Sequence, residues 1–318
     1  MTGERFLSSM EDALLISLGD QAAKDPSLIV LAMGNRDEAL CGGFAREHPE
    51  QFIYTGLSAR DTVLLAAGLS LSGRNVIVHG QSSLLVTRAF DAIRTAVAIP
   101  SLPVRFLLAR SGLTGGADGT TFQILEDLAL LRSLPNLSIL VPSDGRLAVT
   151  LLEGASGCKG PVFFRLSSFA LPEIDRPAGF DFQPGGAPVL REGDGVTLCA
   201  CGTMVHEALK ASNILSQQGI EAEVIDCYSV KPLPAQAITA SVRRTGCCVV
   251  AEEHNVSGGL GGAVAELLCQ SSPVPIKFVS VQDRFGQSGG AEELLEYYGL
   301  SFKEVLSAAS QAWTMRRR

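Results

Sequence analysis

The sequence predicts an α/β protein built as two three-layer α/β/α domains with mainly parallel sheets, and three observations carry that prediction. Apolar runs of strand length alternate with amphipathic stretches of helix length through both halves of the chain, the pattern of repeated βα units. A stretch rich in proline and glycine, 171–187, interrupts that alternation with little periodicity of its own and reads as a linker. The 318 residues, with 46% hydrophobic and 19% charged content, also exceed what one ordinary core organises. The expected division is 1–170, the linker 171–187, and 188–318.

In the first part, Phe6, Leu14, Leu15 and Leu18 give residues 5–24 a helical apolar face. A strand over 27–33 follows, then a polar loop, a short helix over 44–48 and a strand over 51–55. The turn GLSARD, 56–61, leads into an Ala- and Leu-rich helix over 62–71. The run over 76–78 is a strand ending at His79 and Gly80, and 83–97 is an amphipathic helix that stops before Pro100. RFLLA, 105–109, is a strand running into the glycine-rich, Asp-bearing loop 110–122, after which a patterned helix precedes the apolar run 137–144 and a strand over 162–166. Ligands of such domains gather at the carboxyl ends of the strands, which puts 110–122 on the rim where chemistry is expected. Beyond the linker, strands over 196–201, 222–226, 247–252 and 276–281 alternate with helices over 205–218, 235–245, 261–269 and 291–297, and a helix over 301–312 closes the chain.

Composition excludes several classes of function. A net charge of −7 argues against a nucleic-acid surface, which needs clustered Lys and Arg. The basic run at 316–318 reads as a solvated tail. Cys199 and Cys201 share one strand face and Cys247 adjoins Cys248, so neither pair has the spacing of a zinc or redox motif. They read as small buried hydrophobes in a reducing cytoplasm. No apolar run reaches the ~18 residues of a membrane span, and the start lacks a basic segment followed by an apolar core. A soluble cytoplasmic protein, without membrane association, is expected.

Several long motifs, in order, carry a resemblance: AAGLSLSG (66–73), RAFDAIR (88–94), GADGTTFQILEDLALLRSLPNL (116–137), AEEHNVSGGLGGAVAELL (251–268), DRFGQSG (283–289) and YYGL (297–300). Over essentially its full length the chain resembles the C-terminal half of transketolases and of the related deoxyxylulose-phosphate synthases and ketoacid dehydrogenases. The resemblance implies a pyrimidine-binding domain followed by a transketolase C-terminal domain. It also implies thiamine diphosphate bound between chains, with Mg²⁺ and the diphosphate held by a separate N-terminal transketolase-like subunit in a dimer of heterodimers. The run GDG at 193–195 precedes its strand, so it is not the family's metal motif and no metal ligand is expected from this chain.

The same resemblance names the candidate site and its departures. Where the family has G-I-A-E-Q-N, with Glu activating the aminopyrimidine, this chain has Gly56, Leu57, Ser58, Ala59, Arg60 and Asp61, so Ala59 stands in place of the acid. The flanking aromatics correspond to Gln81 and Leu84. Gly56, Leu57, Ala59, Gln81 and Leu84 are therefore the implied cofactor contacts. In G-E-D-G-x-x-H-Q the sugar-binding Asp survives as Asp118, while the catalytic His becomes Phe122 and another substrate-contacting His aligns with Arg110. Arg110, Asp118 and Phe122 are the implied substrate contacts, and His79 and Asp118 the catalytic candidates. Arg110 could be satisfied by an anionic ligand, by a carboxylate or by solvent. Arg165 is the cation near Ser167 and Ser168, where family members bind a sugar phosphate. Asp61, at a helix start, reads first as a capping or dipole residue. The expected function is a subunit of a thiamine-diphosphate-dependent carboligase that transfers a two-carbon ketol or acyl unit to an unusual acceptor. The alternative is a non-catalytic partner subunit that stabilises or regulates such a complex.

Overall fold

The computed structural model describes residues 8–34 and 41–316. Residues 5–7 of the expected first helix and the last two residues of the basic run lie outside the described residues. The first part contains β1 (Ser8–Ser9), α1 (Met10–Ala22), β2 (Leu28–Met33), α2 (Gly42–Glu47), β3 (Phe52–Gly56), α3 (Ala59–Leu71), β4 (Asn75–Gln81), α4 (Ser82–Arg88), α5 (Phe90–Ala92), β5 (Arg105–Ala109), α6 (Asp127–Arg132), β6 (Ser138–Leu140), α7 (Gly145–Gly154), β7 (Val162–Arg165) and β8 (Ala170–Leu171). The second contains β9 (Val189–Arg191), β10 (Val196–Ala200), α8 (Met204–Gln217), β11 (Ala222–Asp226), β12 (Ser229–Lys231), α9 (Ala235–Thr245), β13 (Cys248–Asn255), α10 (Leu260–Ser271), β14 (Ile276–Val281), α11 (Ala291–Tyr297) and α12 (Phe302–Met315).

Two mainly parallel sheets result, one of seven strands in the order β12-β6-β7-β5-β4-β2-β3 and one of five in the order β14-β13-β10-β11-β9. Only the edge strands β12 and β9 run antiparallel within them. The buried runs LIVLAM of β2 and RFLLA of β5 suit strands covered on both faces. In the first sheet the chain leaves β2 toward β3 and then crosses back to β4 on the other side. The carboxyl ends of β2 and β4 are therefore a topological switch point, where such sheets hold ligands. Gly80 lets β4 approach closely there, since a Cβ would meet Leu85 Cδ1 at 3.1 Å and Met33 Cβ at 3.2 Å.

Three elements differ from the sequence expectation. The helix over 83–97 is broken into α4, α5 and a π-helical turn, Ile93–Ala98, because Ala89 sits near φ −116° rather than in the helical region. The helix after the site loop is shorter than its pattern, six residues in α6. The Pro- and Gly-rich segment is not free chain. β8 pairs with β1, and the largely covered Arg176 side chain donates from Nη1 to Asp144 at 2.8 Å and from Nη2 to Ser143 Oγ at 2.7 Å and Asp226 at 3.2 Å.

The two sheets are also joined. β12 comes from the second part of the chain but pairs with β6 of the first sheet. Lys231 at its end donates from Nζ to the carbonyls of Arg132 and Leu134, capping α6. One apolar cluster accordingly runs from Ile29, Val63 and Leu85 through Ile139 and Val141 to Cys199, Ile225 and Val250. Cys199 of β10 and Cys248 of β13 lie with their Sγ atoms 3.9 Å apart, Cys227 just past the end of β11 is grouped with Cys199, and all eight cysteines are free. Among the described residues, no helix is long and apolar enough to cross a membrane.

Candidate functional site

The switch point assembles some of the sequence-derived site residues and separates others. Gly56 ends β3 with φ 72°, Leu57 is 65% exposed, and Ala59 opens α3 with its side chain buried. Ala59 and Leu84 belong to the apolar cluster on the α3 and α4 side of the sheet, together with Val76 and Val78. Gln81 closes β4, and its Nε2 is buried without a hydrogen-bond partner, as is Ser83 Oγ in the first turn of α4. The exposed Asp61 carboxylate accepts from Ser58 Oγ at 2.7 Å, the role of a first-turn acid.

His79 lies on the opposite face. Strand residues alternate, so with Val78 directed at α3 the neighbouring Ile77 and His79 face the α1 side, where Ile77 packs with Met10 and Leu14. His79 Nε2 is 3.9 Å from Oε2 of Glu11 in α1, and both Nε2 and Glu11 Oε1 are buried without a direct hydrogen-bond partner. Burial opposes a charge there, but the Cys41 thiol and the Glu11 carboxylate more than offset it and push the His79 pKa up to about 10. Glu11 is the residue that sequence reading missed. It lies mid-pattern on an amphipathic helix, and nothing local marks it as facing inward.

The loop after β5 carries the substrate candidates. Arg110 takes φ 50°, an uncommon conformation for a side-chain-bearing residue, and its Nη1 is 2.9 Å from Asp118 Oδ2 with both side chains about 40% exposed. Of the three partners open to Arg110, the chain supplies a carboxylate. Phe122 is half-buried against the main apolar cluster. Arg165 does not serve as an exposed phosphate ligand. It is 6% exposed, donates from Nε to Asp127 at 2.9 Å and from Nη2 to the Glu253 carbonyl at 2.9 Å, and lies 3.8 Å from Glu253 Oε2. Glu253 in turn accepts at Oε1 from Leu113 N–H at 2.6 Å. Burial outweighs Arg165 and that bond and pushes the Glu253 pKa up to about 7. The GDG run forms the turn between β9 and β10, where a Cβ on Gly193 would meet the Ala222 carbonyl carbon at 2.4 Å. Among the described residues no group of three or more His, Cys, Asp and Glu side chains is placed to hold a metal ion.

Comparison with known proteins agrees with this architecture. Residues 9–173 match the transketolase pyrimidine-binding domain and residues 185–305 the transketolase C-terminal domain. The chain is 32% identical over 301 residues to an apulose-4-phosphate transketolase subunit of Phocaeicola vulgatus, covering 95% of each chain. It is 33% identical over 302 residues to a 6-deoxy-6-sulfo-D-fructose transketolase subunit of a Clostridium species, covering 95% of this chain and 94% of the other. A solved structure described as a split gene transketolase, inactive beta4 tetramer, superposes with a TM-score of 0.88 at 34% identity, over 97% of this chain and 99% of that one. With both domain types matched in order and relatives matched nearly end to end, the chain belongs to the transketolase family.

Proposed function

We propose that this chain is the pyrimidine-side subunit of a thiamine-diphosphate-dependent, transketolase-like carboligase that moves a two-carbon ketol or acyl unit onto an unusual acceptor. Its two domains are 1–170 and 188–318. A separate N-terminal transketolase-like subunit holds the diphosphate and Mg²⁺, and the assembly is a dimer of heterodimers. The observation that carries the reading is the unpartnered, buried amide of Gln81 at the switch point of a pyrimidine-binding domain. A heteroaromatic ring carrying nitrogen acceptors suits that donor, and the apolar side chains of Ala59 and Leu84 suit its faces. The residues fit the ring, although none of the implied contacts is an acid.

When bound, thiamine diphosphate supplies the nucleophilic carbon that adds to a carbonyl substrate. Gly56, Leu57, Ala59, Gln81 and Leu84 bind and orient the ring and exclude water from it. Arg110 and Asp118 hold the hydroxyls and any anionic group of the substrate, with Phe122 giving its carbon chain an apolar wall. His79, kept charged beside Glu11 on the α1 face, fixes a positive charge behind the carboxyl end of β4 and acts on the ring side only through that strand. The similarity of this chain to proteins described as transketolase subunits supports the separate partner.

Calorimetry with thiamine diphosphate and Mg²⁺, on the chain alone and on its complex with a diphosphate-binding subunit, tests the proposal. Binding is expected only for the complex. Light scattering is expected to show a heterotetramer, as for an obligate interface burying more than ~2,000 Å². Cofactor binding by this chain alone, or none by the complex, would overturn the reading.

A further inference from the structure

The site loop is held from the second part of the chain at two separate points. At its start, Gly112 takes φ 69°, and a Cβ there would meet Glu253 Oε1 at 2.4 Å and Arg165 Nη2 at 2.7 Å. The Glu253 carboxylate thus fills the space a side chain would need, and it accepts from the next amide, Leu113 N–H. At the far end, Gln123 is buried, and its Nε2 donates to the carbonyls of Gly116 at 2.7 Å and Gln287 at 2.9 Å. One amide therefore ties the loop both to itself and to the segment before α11. Thr120 Oγ1 donates to the Gly286 carbonyl at 2.7 Å, and at Gly119, φ 76°, a Cβ would meet Ser288 Oγ at 2.7 Å. Between these two anchors sits Asp118.

We propose that Glu253 and Gln123 are positioning residues through which the C-terminal domain sets the shape of the substrate loop. The C-terminal domain then takes part in substrate recognition without touching substrate. The physical case is one of acceptors and donors. Segment 112–119 is glycine-rich, and its 3₁₀ turns are broken by a bend at Gly116, φ 56° and ψ −120°, so the turns alone do not fix the direction of the part that carries Asp118. A buried amide with two carbonyl acceptors and a buried carboxylate on a backbone N–H are strong local constraints, because leaving either group unpaired carries the full cost of its desolvation. The charges facing Glu253 are Arg165 on β7 and Asp127 at the start of α6, with the Thr114 N–H and Thr203 Oγ1, the latter at 3.5 Å, as further donors. The functional importance of Asp118 rests on the thiamine-diphosphate reading, whereas the clamp itself does not.

The test is amide hydrogen exchange, followed by mass spectrometry, on the full chain and three variants. Gln123→Leu removes both donors at similar bulk, Glu253→Leu removes the acceptor, and Glu253→Gln keeps an acceptor oxygen without the charge. Peptides spanning 113–119 are expected to exchange about tenfold faster in Gln123→Leu and in Glu253→Leu, while those from β5 and β10 stay unchanged. Glu253→Gln should restore wild-type protection and remove its dependence on pH between about 6 and 8, after correction for intrinsic exchange. Unchanged loop exchange in both leucine variants would overturn the proposal. So would faster exchange everywhere at once, which marks lost stability rather than lost positioning, or a Glu253→Gln variant no better protected than Glu253→Leu. A complex that fails to bind thiamine diphosphate would sink the proposed function and leave the exchange result standing.

Discussion

At the scale of single residues, Ala59 and His79 each carry a prediction. Ala59 is buried at the start of α3, so the substitution Ala59→Glu puts a carboxyl into an apolar wall beside Leu84. If the pyrimidine ring lies there, its nitrogens satisfy the new acid, and the cofactor's C2 proton should exchange with heavy water ~10²-fold faster in the complex, within the range of one general acid–base group. An acid without such a partner must be desolvated, and cofactor affinity should then fall. If neither exchange nor affinity changes, Ala59 does not face the ring. His79 gives a prediction independent of cofactor. With its folded pKa raised from 6.5 to about 10, its contribution to stability is fully present below about pH 6.5 and is lost as the pH rises through about 10. In Glu11→Gln the ring loses its carboxylate, so NMR should show the His79 titration moving down by more than one unit, with a loss of about 3 kcal/mol at pH 6. A His79 resonance that titrates near 6.5 in the unmodified chain would refute the pairing.

At the scale of elements, the buried ion pairs decide how strands and helices dock. Arg165 on β7 reaches Asp127 on α6 and the backbone of Glu253 on β13, so one guanidinium ties both sheets together. Arg165→Met should destabilise the chain by about 3–5 kcal/mol, because two buried carboxylates then lack their cation. A chemical denaturation midpoint shifted by less than a quarter of that would show the network to be dispensable. The acids around it add a pH dependence of fixed sign. Burial first of all pushes Glu253 up to about 7 and Asp226 up to about 6, so the folded chain keeps protons that the unfolded chain has released. Stability should therefore fall between about pH 4 and 7, and less steeply in Glu253→Gln than in the parent. The strand and helix order was legible in the sequence because apolar runs and their spacing are local signals. The role of Arg165 was not, since its partners lie 38 and 88 residues away. Nor was β12, three residues whose place is set by pairing with β6 and by the Lys231 bonds to the end of α6. The site loop was found from its glycines, but the Arg110–Asp118 pair that closes it depends on a φ of 50° that no sequence pattern announces.

At the scale of the whole molecule, two domains in sequence behave as one body in structure. β12 belongs to the second part of the chain by connection and to the first sheet by hydrogen bonding, and the largest apolar cluster contains residues of both sheets. A fragment ending at residue 187 would lose β12, uncover the β6 edge and expose the Ile139 and Val141 side of that cluster, a combination that favours edge-to-edge aggregation. Such a fragment is expected to be insoluble on expression, whereas the two pieces produced together should recover a soluble pair. A monomeric, cooperatively unfolding fragment would show that the first domain stands alone.

The eight free thiols add a consequence for how this molecule can be watched. Six are buried, Cys158 is partly covered and Cys269 is exposed, so a thiol reagent meets one ready target in the folded chain. The group formed by Cys227, Cys199 and Cys248 sits where the two sheets share their core, and it becomes reachable only when that core opens. Counting labels by mass against time then gives a built-in clock. One early label marks the surface, and a concerted gain of the buried set timestamps each opening event without any reporter having been introduced.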